Sequence, residues 1–250
     1  MDPIAPPDLR FLDGPSGRQI ACRFRPGDAP TLAFFPGYAS DMEGAKALAL
    51  DAFAARRGLG ILRFDYSGTG SSGGRFEDGT LALWLDDSLT AIDRMTEGPL
   101  LLVGSSMGGW LALHVAMLRK ERVRALVGIA AAPDFTDWGF SDGLKARLGA
   151  GETLRGQGDY GERVTTADFW SWGQEMRLLG SEIAVDCPVR LVHGEEDPDV
   201  PLDIAFRTMR ALRSSDVQVT VIKGGGHRLS EPHEIATILR TVSGLLEPPE

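Results

Sequence analysis

Three observations predict an α/β fold, a mostly parallel sheet with helices on both faces. Short apolar runs that stop at Gly or Pro alternate with longer stretches of helical periodicity from residue 31 to residue 246. Such alternation builds parallel strands that are covered above and below. The stretch 99–118 reads as strand, sharp turn and buried helix, with Ser106 at the apex. Between Pro133 and Asp186 the alternation lapses, then resumes, which marks an insertion into one core.

In chain order, 8–13 and 18–25 read as two short strands around the turn Asp13-Gly14-Pro15-Ser16-Gly17, a hairpin that places antiparallel strands at one edge. Thr31–Phe35 is a buried strand stopped by Pro36-Gly37. The periodicity of 42–57 predicts a helix ending before Gly58. Gly60–Phe64 is a strand that runs into a Gly/Ser loop, 65–74, and 80–95 is a helix. The Ser106 strand and helix come next, then a strand over 125–130. No strand is predicted between 133 and 186, which holds Trp138, Trp170 and Trp172 together with Phe135, Phe140, Phe169 and Met176. The alternation returns with a strand at 188–193, a helix at 202–212, a strand at 217–222 and a helix at 232–246. The expected division is therefore a core of 1–133 and 187–250 with a cap, 134–186, lying over the carboxyl ends of the strands, where open α/β sheets place their sites.

A chain of 250 residues with 43% hydrophobic and 24% charged residues can bury a core without staples. Its net charge of −9 argues against nucleic acid or an anionic membrane as partner. Cys22 and Cys187 lie far apart in sequence, without metal or redox spacing, and read as free buried thiols in a reducing compartment. There is no Asn for a glycosylation sequon, and no run long enough to span a bilayer. The first residues lack the charged and apolar regions of a signal peptide, so a cytoplasmic protein is expected.

The chemistry centres on Gly104-Ser105-Ser106-Met107-Gly108, the Gly-x-Ser-x-Gly pattern of a nucleophile elbow. A serine at such an apex takes a strained backbone, and its neighbours must be small. The pattern is weak by itself: it recurs at Gly139-Phe140-Ser141-Asp142-Gly143. There no apolar strand precedes it and no packed helix is expected close behind, so that copy reads as a loop.

A serine hydroxyl needs a base, and the base needs an orienting carboxylate. In a sheet of this kind they follow the serine in the order acid, histidine, each on a strand-end loop. Of the four histidines, His114 lies on the serine's own helix and His233 in the last helix. His193 ends a strand but precedes the acid loop. His227, after the strand 217–222 and Gly224-Gly225-Gly226, has the required place. The acid loop, Gly194-Glu195-Glu196-Asp197-Pro198-Asp199, offers Asp197 first and Asp199 second, with Glu195 and Glu196 read as solvated charges.

An oxyanion hole needs two N–H donors. Met107, next to the serine, and Tyr38, in the loop after Thr31–Phe35, are the candidates, both through the backbone. The Gly/Ser loop lacks the spacing and lysine of a phosphate-binding loop and reads as a loop near the pocket floor. No metal-ligand spacing is present and no cofactor is expected. Arg147, Arg155, Arg163 and Arg177 of the cap read as solvated rather than substrate-binding, and Glu152, Glu162 and Glu175 are the carboxylates an aminopeptidase reading would require.

With these pieces in place the chain resembles the α/β-hydrolase superfamily over nearly its whole length. More narrowly, Phe35–Met42, Arg63–Ser72 and Gly104–Leu111 are similar to the group formed by the mitochondrial palmitoyl-protein thioesterase and mycophenolic acid acyl-glucuronide esterase with its bacterial relatives. That resemblance implies a triad of Ser106, Asp197 and His227, an oxyanion hole of Tyr38 and Met107, and hydrolysis of esters or thioesters. The substrate it implies is a small-molecule ester or acyl thioester, with an acylated protein as a further candidate. Gly226 stands where that group leads one to expect an aspartate, which would loosen the histidine loop. The cap matches poorly, so the substrate is the least transferable property. The lack of a mitochondrial targeting segment favours a bacterial relative. Two other readings use the same scaffold: a carbon–carbon bond hydrolase with the same triad, and a ligand-binding relative without turnover.

Overall fold

A computed structural model describes residues 5–14, 17–158 and 161–247. Pro15 and Ser16, at the tip of the expected first turn, lie outside the described residues. The strands β1 (Leu9–Asp13), β2 (Gln19–Arg25), β3 (Asp28–Phe35), β4 (Leu59–Phe64), β5 (Leu100–Ser105), β6 (Val123–Ile129), β9 (Val189–Gly194) and β10 (Val217–Ile222) form one sheet in the order β1-β2-β4-β3-β5-β6-β9-β10. β1 and β2 are antiparallel to each other, and β2 is antiparallel to β4; every other pair in the sheet is parallel. The expected mostly parallel sheet with an antiparallel edge is the sheet observed.

Each central strand feeds two cores, because successive side chains point to opposite faces. In β5, Leu100 and Leu102 join one core while Leu101 and Val103 join the other; in β3 the same split sends Ala33 and Phe35 one way and Leu32 and Phe34 the other. The first core is closed by α2 (Leu81–Met95) and α3 (Met107–Leu118) through Trp84, Ile92, Trp110 and Leu111. The second is closed by α1 (Ala45–Arg57) and α8 (Pro232–Leu246) through Leu50, Phe53, Ile238 and Val242. Helix ends follow local chemistry. The Thr80 hydroxyl accepts from the Leu83 amide at the start of α2, and Glu231 and Glu234 form a reciprocal capping box around Pro232 at the start of α8. Gly58, at φ 70°, ends α1.

Two expectations are corrected. The helix expected over 42–57 starts only at Ala45. The Met42 amide is taken by the Asp65 carboxylate at 2.7 Å and the Met42 carbonyl by the buried Arg63 guanidinium at 2.5 Å, so residues 41–44 are held as a turn. The segment between β6 and β9 is not strand-free. It contains α4 (Phe135–Trp138), α5 (Asp142–Gly149), an antiparallel pair β7 (Leu154–Gly158) and β8 (Gly161–Thr165), and α6 (Ala167–Glu175). The pair escapes a periodicity reading because LRGQG and GERVT have no alternating apolar face. It forms a separate sheet outside the eight-stranded one. The last crossover helix is α7 (Leu202–Ala211), between β9 and β10. Among the described residues no helix is long and apolar enough to cross a membrane.

Candidate active site

Ser106 sits between the end of β5 and the first turn of α3, at φ 55° and ψ −122°. For a residue with a Cβ this is a strained backbone. Neighbouring groups hold it there. The Ser106 amide donates to Ile129 O at 2.8 Å, and its carbonyl accepts from Gly109 N at 2.9 Å and Ala132 N at 3.1 Å. The flanking glycines are demanded by close approach. A Cβ on Gly104 would stand 2.4 Å from Gly108 O, and one on Gly108 would stand 2.2 Å from Phe35 O. The turn is thus pressed against the end of β3, from which Gly37 and Tyr38 emerge.

The second Gly-x-Ser-x-Gly is followed at once by a helix, α5, contrary to the sequence expectation. Ser141 nevertheless has an ordinary extended backbone, φ −66° and ψ 158°, and its hydroxyl caps α5 by accepting from Leu144 N. It is a helix cap, not a strained apex.

The structure brings Ser106, His227 and Asp197 together from three strand ends. Ser106 Oγ is 3.0 Å from His227 Nε2, and His227 Nδ1 is 2.8 Å from Asp197 Oδ2. The carboxylate can only accept, so Nδ1 carries the imidazole proton and Nε2 is left to accept from the serine hydroxyl. Asp197 is buried through its side chain and fully bonded: Oδ1 accepts from Asp199 N at 2.9 Å and Val200 N at 2.8 Å. Burial pushes its carboxyl up, but the His227 hydrogen bond and the two amides outweigh burial and hold it below the usual carboxylate range. Asp199, the second choice for the acid, lends this site its amide. Its carboxylate also lies near: ligand atoms of Asp197, Asp199 and His227 fall within 4.8 Å of one another. Two of those three groups are already bonded to each other.

The histidine loop is fixed from the acid loop and from α1. Glu196 N donates to Gly225 O, Gly224 N donates to the Glu195 carboxylate at 3.2 Å, and the Lys46 ammonium donates to Arg228 O. Glu195, read as a solvated charge, is exposed yet helps tie this loop. These ties stand where an aspartate at 226 was expected, and a Cβ at Gly226 would meet open space.

The other histidines have separate partners. His114 is bonded through Nε2 to Met176 O at 3.0 Å, burial holding its pKa down, and His233 is exposed on α8. His193 is buried at the end of β9 and stands 3.5 Å from Asp197 Oδ2, a contact that chain order could not reveal. Of the two oxyanion candidates, Met107 is buried as the first residue of α3, where amide groups lack helical partners. Tyr38 follows Gly37, on which an added Cβ would lie 3.4 Å from Ser106 Cβ.

The Tyr38 side chain reaches into the 134–186 segment. Its hydroxyl donates to Val164 O, and its ring lies 4.9 Å from that of Phe169 and 5.9 Å from that of Phe135. Phe76 and Trp84 pack on the same ring. Trp138 and Trp170 bond through Nε1 to Pro133 O and Thr136 O, and Trp172 is 48% exposed. Asp134 accepts from the amides of Leu178 and Leu179, closing the segment at its base. Arg147, Arg155 and Arg177 pair with Glu152, Glu77 and Asp137. Glu175 is exposed, and the side chains of Glu162 and Arg163 lie outside the described residues. In the Gly/Ser loop Ser71 N donates to Asp65 and Ser67 N to Asp87, while the amides of Gly68, Thr69, Ser72 and Gly73 donate to backbone carbonyls, so these amides are committed within the protein.

Comparison with known proteins follows the same lines. The model of the alpha/beta hydrolase family matches residues 32–238. The human mitochondrial palmitoyl-protein thioesterase ABHD10 is 38% identical over 246 residues, covering 96% of this chain and 80% of that protein. Mouse alpha/beta hydrolase domain-containing protein 10 superimposes with a TM-score of 0.90 at 36% identity, over 96% of this chain and 98% of that one. A crystal structure from Agrobacterium vitis S4 does so with a TM-score of 0.90 at 36% identity, over 97% of this chain and 100% of that one. With the eight-stranded sheet and the strained serine turn already described, these matches establish that the chain belongs to the α/β-hydrolase family.

Proposed function

We propose that this chain is a serine hydrolase that cleaves carboxylic esters or thioesters through an acyl-enzyme. The observation that carries the reading is the unbroken chain of hydrogen bonds from Ser106 Oγ to His227 Nε2 and from His227 Nδ1 to Asp197. Ser106 Oγ attacks the acyl carbon while its proton passes to His227 Nε2. The amides of Met107 and Tyr38 donate to the oxyanion of the tetrahedral intermediate. Collapse of that intermediate breaks the bond to the leaving oxygen or sulfur, which takes the proton from His227. Water, deprotonated by the same imidazole, then attacks the acyl-serine and releases the acid. Asp197, held ionised by its amide bonds, keeps the imidazole in the required tautomer throughout.

The 134–186 segment is the cap of this site in our reading. Support comes from its contacts with Tyr38, the residue whose backbone we assign to the oxyanion. For the substrate, identity to the human protein named as a palmitoyl-protein thioesterase supports an acyl thioester, including one carried on a protein. An esterase of small acyl groups would use the same steps.

The test is labelling by a fluorophosphonate together with turnover of p-nitrophenyl esters and acyl thioesters of graded chain length. The native protein should label once, at Ser106, and Ser106→Ala should abolish labelling and lower hydrolysis by about 10³-fold or more. A Ser106→Ala protein that still labels would refute the assignment.

A further inference from the structure

His193 is the most deeply buried of the four histidines, and the proposed mechanism leaves it unused. It is 1% exposed and occupies the next-to-last position of β9, directly before the loop that carries Asp197. Its Nε2 lies 2.9 Å from Val200 O. A carbonyl can only accept, so Nε2 bears the proton, and the tautomer is set. The same nitrogen stands 3.5 Å from Asp197 Oδ2, the oxygen that accepts from His227. Val200 also donates its amide to the other oxygen of that carboxylate at 2.8 Å. One residue of the acid loop is therefore clamped from both sides, by His193 at its carbonyl and by Asp197 at its amide.

The strand that bears His193 also neighbours the histidine loop. His193 pairs with Val221 of β10, and at Gly194 an added Cβ would lie 2.2 Å from Gly225 O. His193 thus sits beneath the junction where both strand-end loops leave the sheet.

We propose that His193 is a positioning residue for the triad: its Nε2–H pins Val200 and so fixes the Asp197 carboxylate in line with His227 Nδ1. The proposal rests on the hydrolase reading above. A histidine serving only to fill the core would need neither the Val200 bond nor its place against Asp197, because a leucine occupies similar volume without a donor.

The experiment compares the native protein with His193→Leu and His193→Gln. Gln places an amide N–H near the reach of Nε2, whereas Leu has none. Measured for p-nitrophenyl acetate, His193→Leu should lower kcat about tenfold or more, with KM within about twofold, and His193→Gln should recover most of the loss. The downfield imidazole proton resonance of His227 Nδ1–H should shift or broaden in His193→Leu and return in His193→Gln. A folded His193→Leu with native kcat, or one that loses only thermal stability while kcat and the resonance hold, would overturn the proposal. Should His193→Leu fail to fold, His193→Asn takes its place, since its amide is too short to reach Val200 O; equal kcat for Asn and Gln would then count against the proposal. Native protein that does not label at Ser106 would remove the hydrolase reading itself, so the two failures are distinguishable.

Discussion

Ser106 holds a backbone conformation that costs roughly 1–3 kcal/mol in isolation, and three backbone hydrogen bonds to Ile129, Gly109 and Ala132 keep it there. The arrangement leaves no room for a side chain at Gly104 or Gly108, two positions to either side. Gly108→Ala would drive a methyl group into the carbonyls of Phe35 and Pro36, which are backbone and cannot rotate aside. We expect that variant to lose several kcal/mol of stability and most of the ester turnover proposed for the native protein, because the displaced strand end carries Tyr38. Chemical denaturation and kinetics on p-nitrophenyl acetate would measure both, and native values for each would contradict the packing argument. The thiols give a pH-dependent case. Burial, with Asp65 and Asp87 nearby, raises Cys22 to about 12, and burial raises Cys187 to about 11, against 9.0 for a free thiol. Their unfolded forms ionise first, so each contributes stability below pH 9.0 that is lost as pH rises toward the folded values. At pH 9.0 iodoacetamide should therefore modify Cys22 only after denaturation, and Cys187, which is half-buried rather than buried as expected, more slowly in the folded protein than in the unfolded one, as read by mass spectrometry. Rapid modification of native Cys22 would contradict the burial.

At the scale of elements, Tyr38 joins two jobs through one residue. Its backbone lies at the proposed oxyanion position, and its ring and hydroxyl reach β8, α4 and α6 in the 134–186 segment. Phe169, 2% exposed, contacts Tyr38, Trp84 and Phe135. Phe169→Ala should cost about 3 kcal/mol or more, as deletion of a buried aromatic does. It should also lower kcat more than Trp172→Ala, whose ring is nearly half exposed. Thermal denaturation and steady-state kinetics on both variants provide the check; equal effects would show that the Tyr38 contacts transmit nothing to the site. This segment was also the least legible part of the chain. The lapse of strand–helix alternation marked it as an insertion, but the strands β7 and β8 are polar and glycine-bearing and gave no period to detect. The start of α1 was misplaced for a different reason. The periodicity of 42–57 is real, yet the Asp65 carboxylate, distant in sequence, captures the Met42 amide and delays the helix.

Across the whole molecule, the parallel sheet does most of the work of assembly. β3, β5, β9 and β10 all run in one direction, so the loops that follow them open on one edge of the sheet. Tyr38, Ser106, Asp197 and His227 each follow one of those strands, and 121 residues of chain separate the serine from the histidine that bonds to it. Elements such as β3 and β5 were legible because a buried strand must be continuously apolar and must end where Gly, Pro or a polar turn begins, whereas the edge strand β10 was legible from the alternation of its VQVTVI sequence. The serine turn was legible because its glycines answer a local steric demand. Chain order then narrowed four histidines to His227.

What the residues determined by themselves was the alternation of strands and helices, the strained apex at Ser106 and the candidate partners on strand-end loops. These follow from side-chain periodicity and backbone sterics, which act over a few neighbouring residues. Only the tertiary structure decided that Asp197 rather than Asp199 bonds His227, that His193 stands beside that carboxylate, and that a polar β pair binds the Tyr38 hydroxyl. Those outcomes depend on which strands lie side by side and how their loops pack, distances that no local pattern encodes.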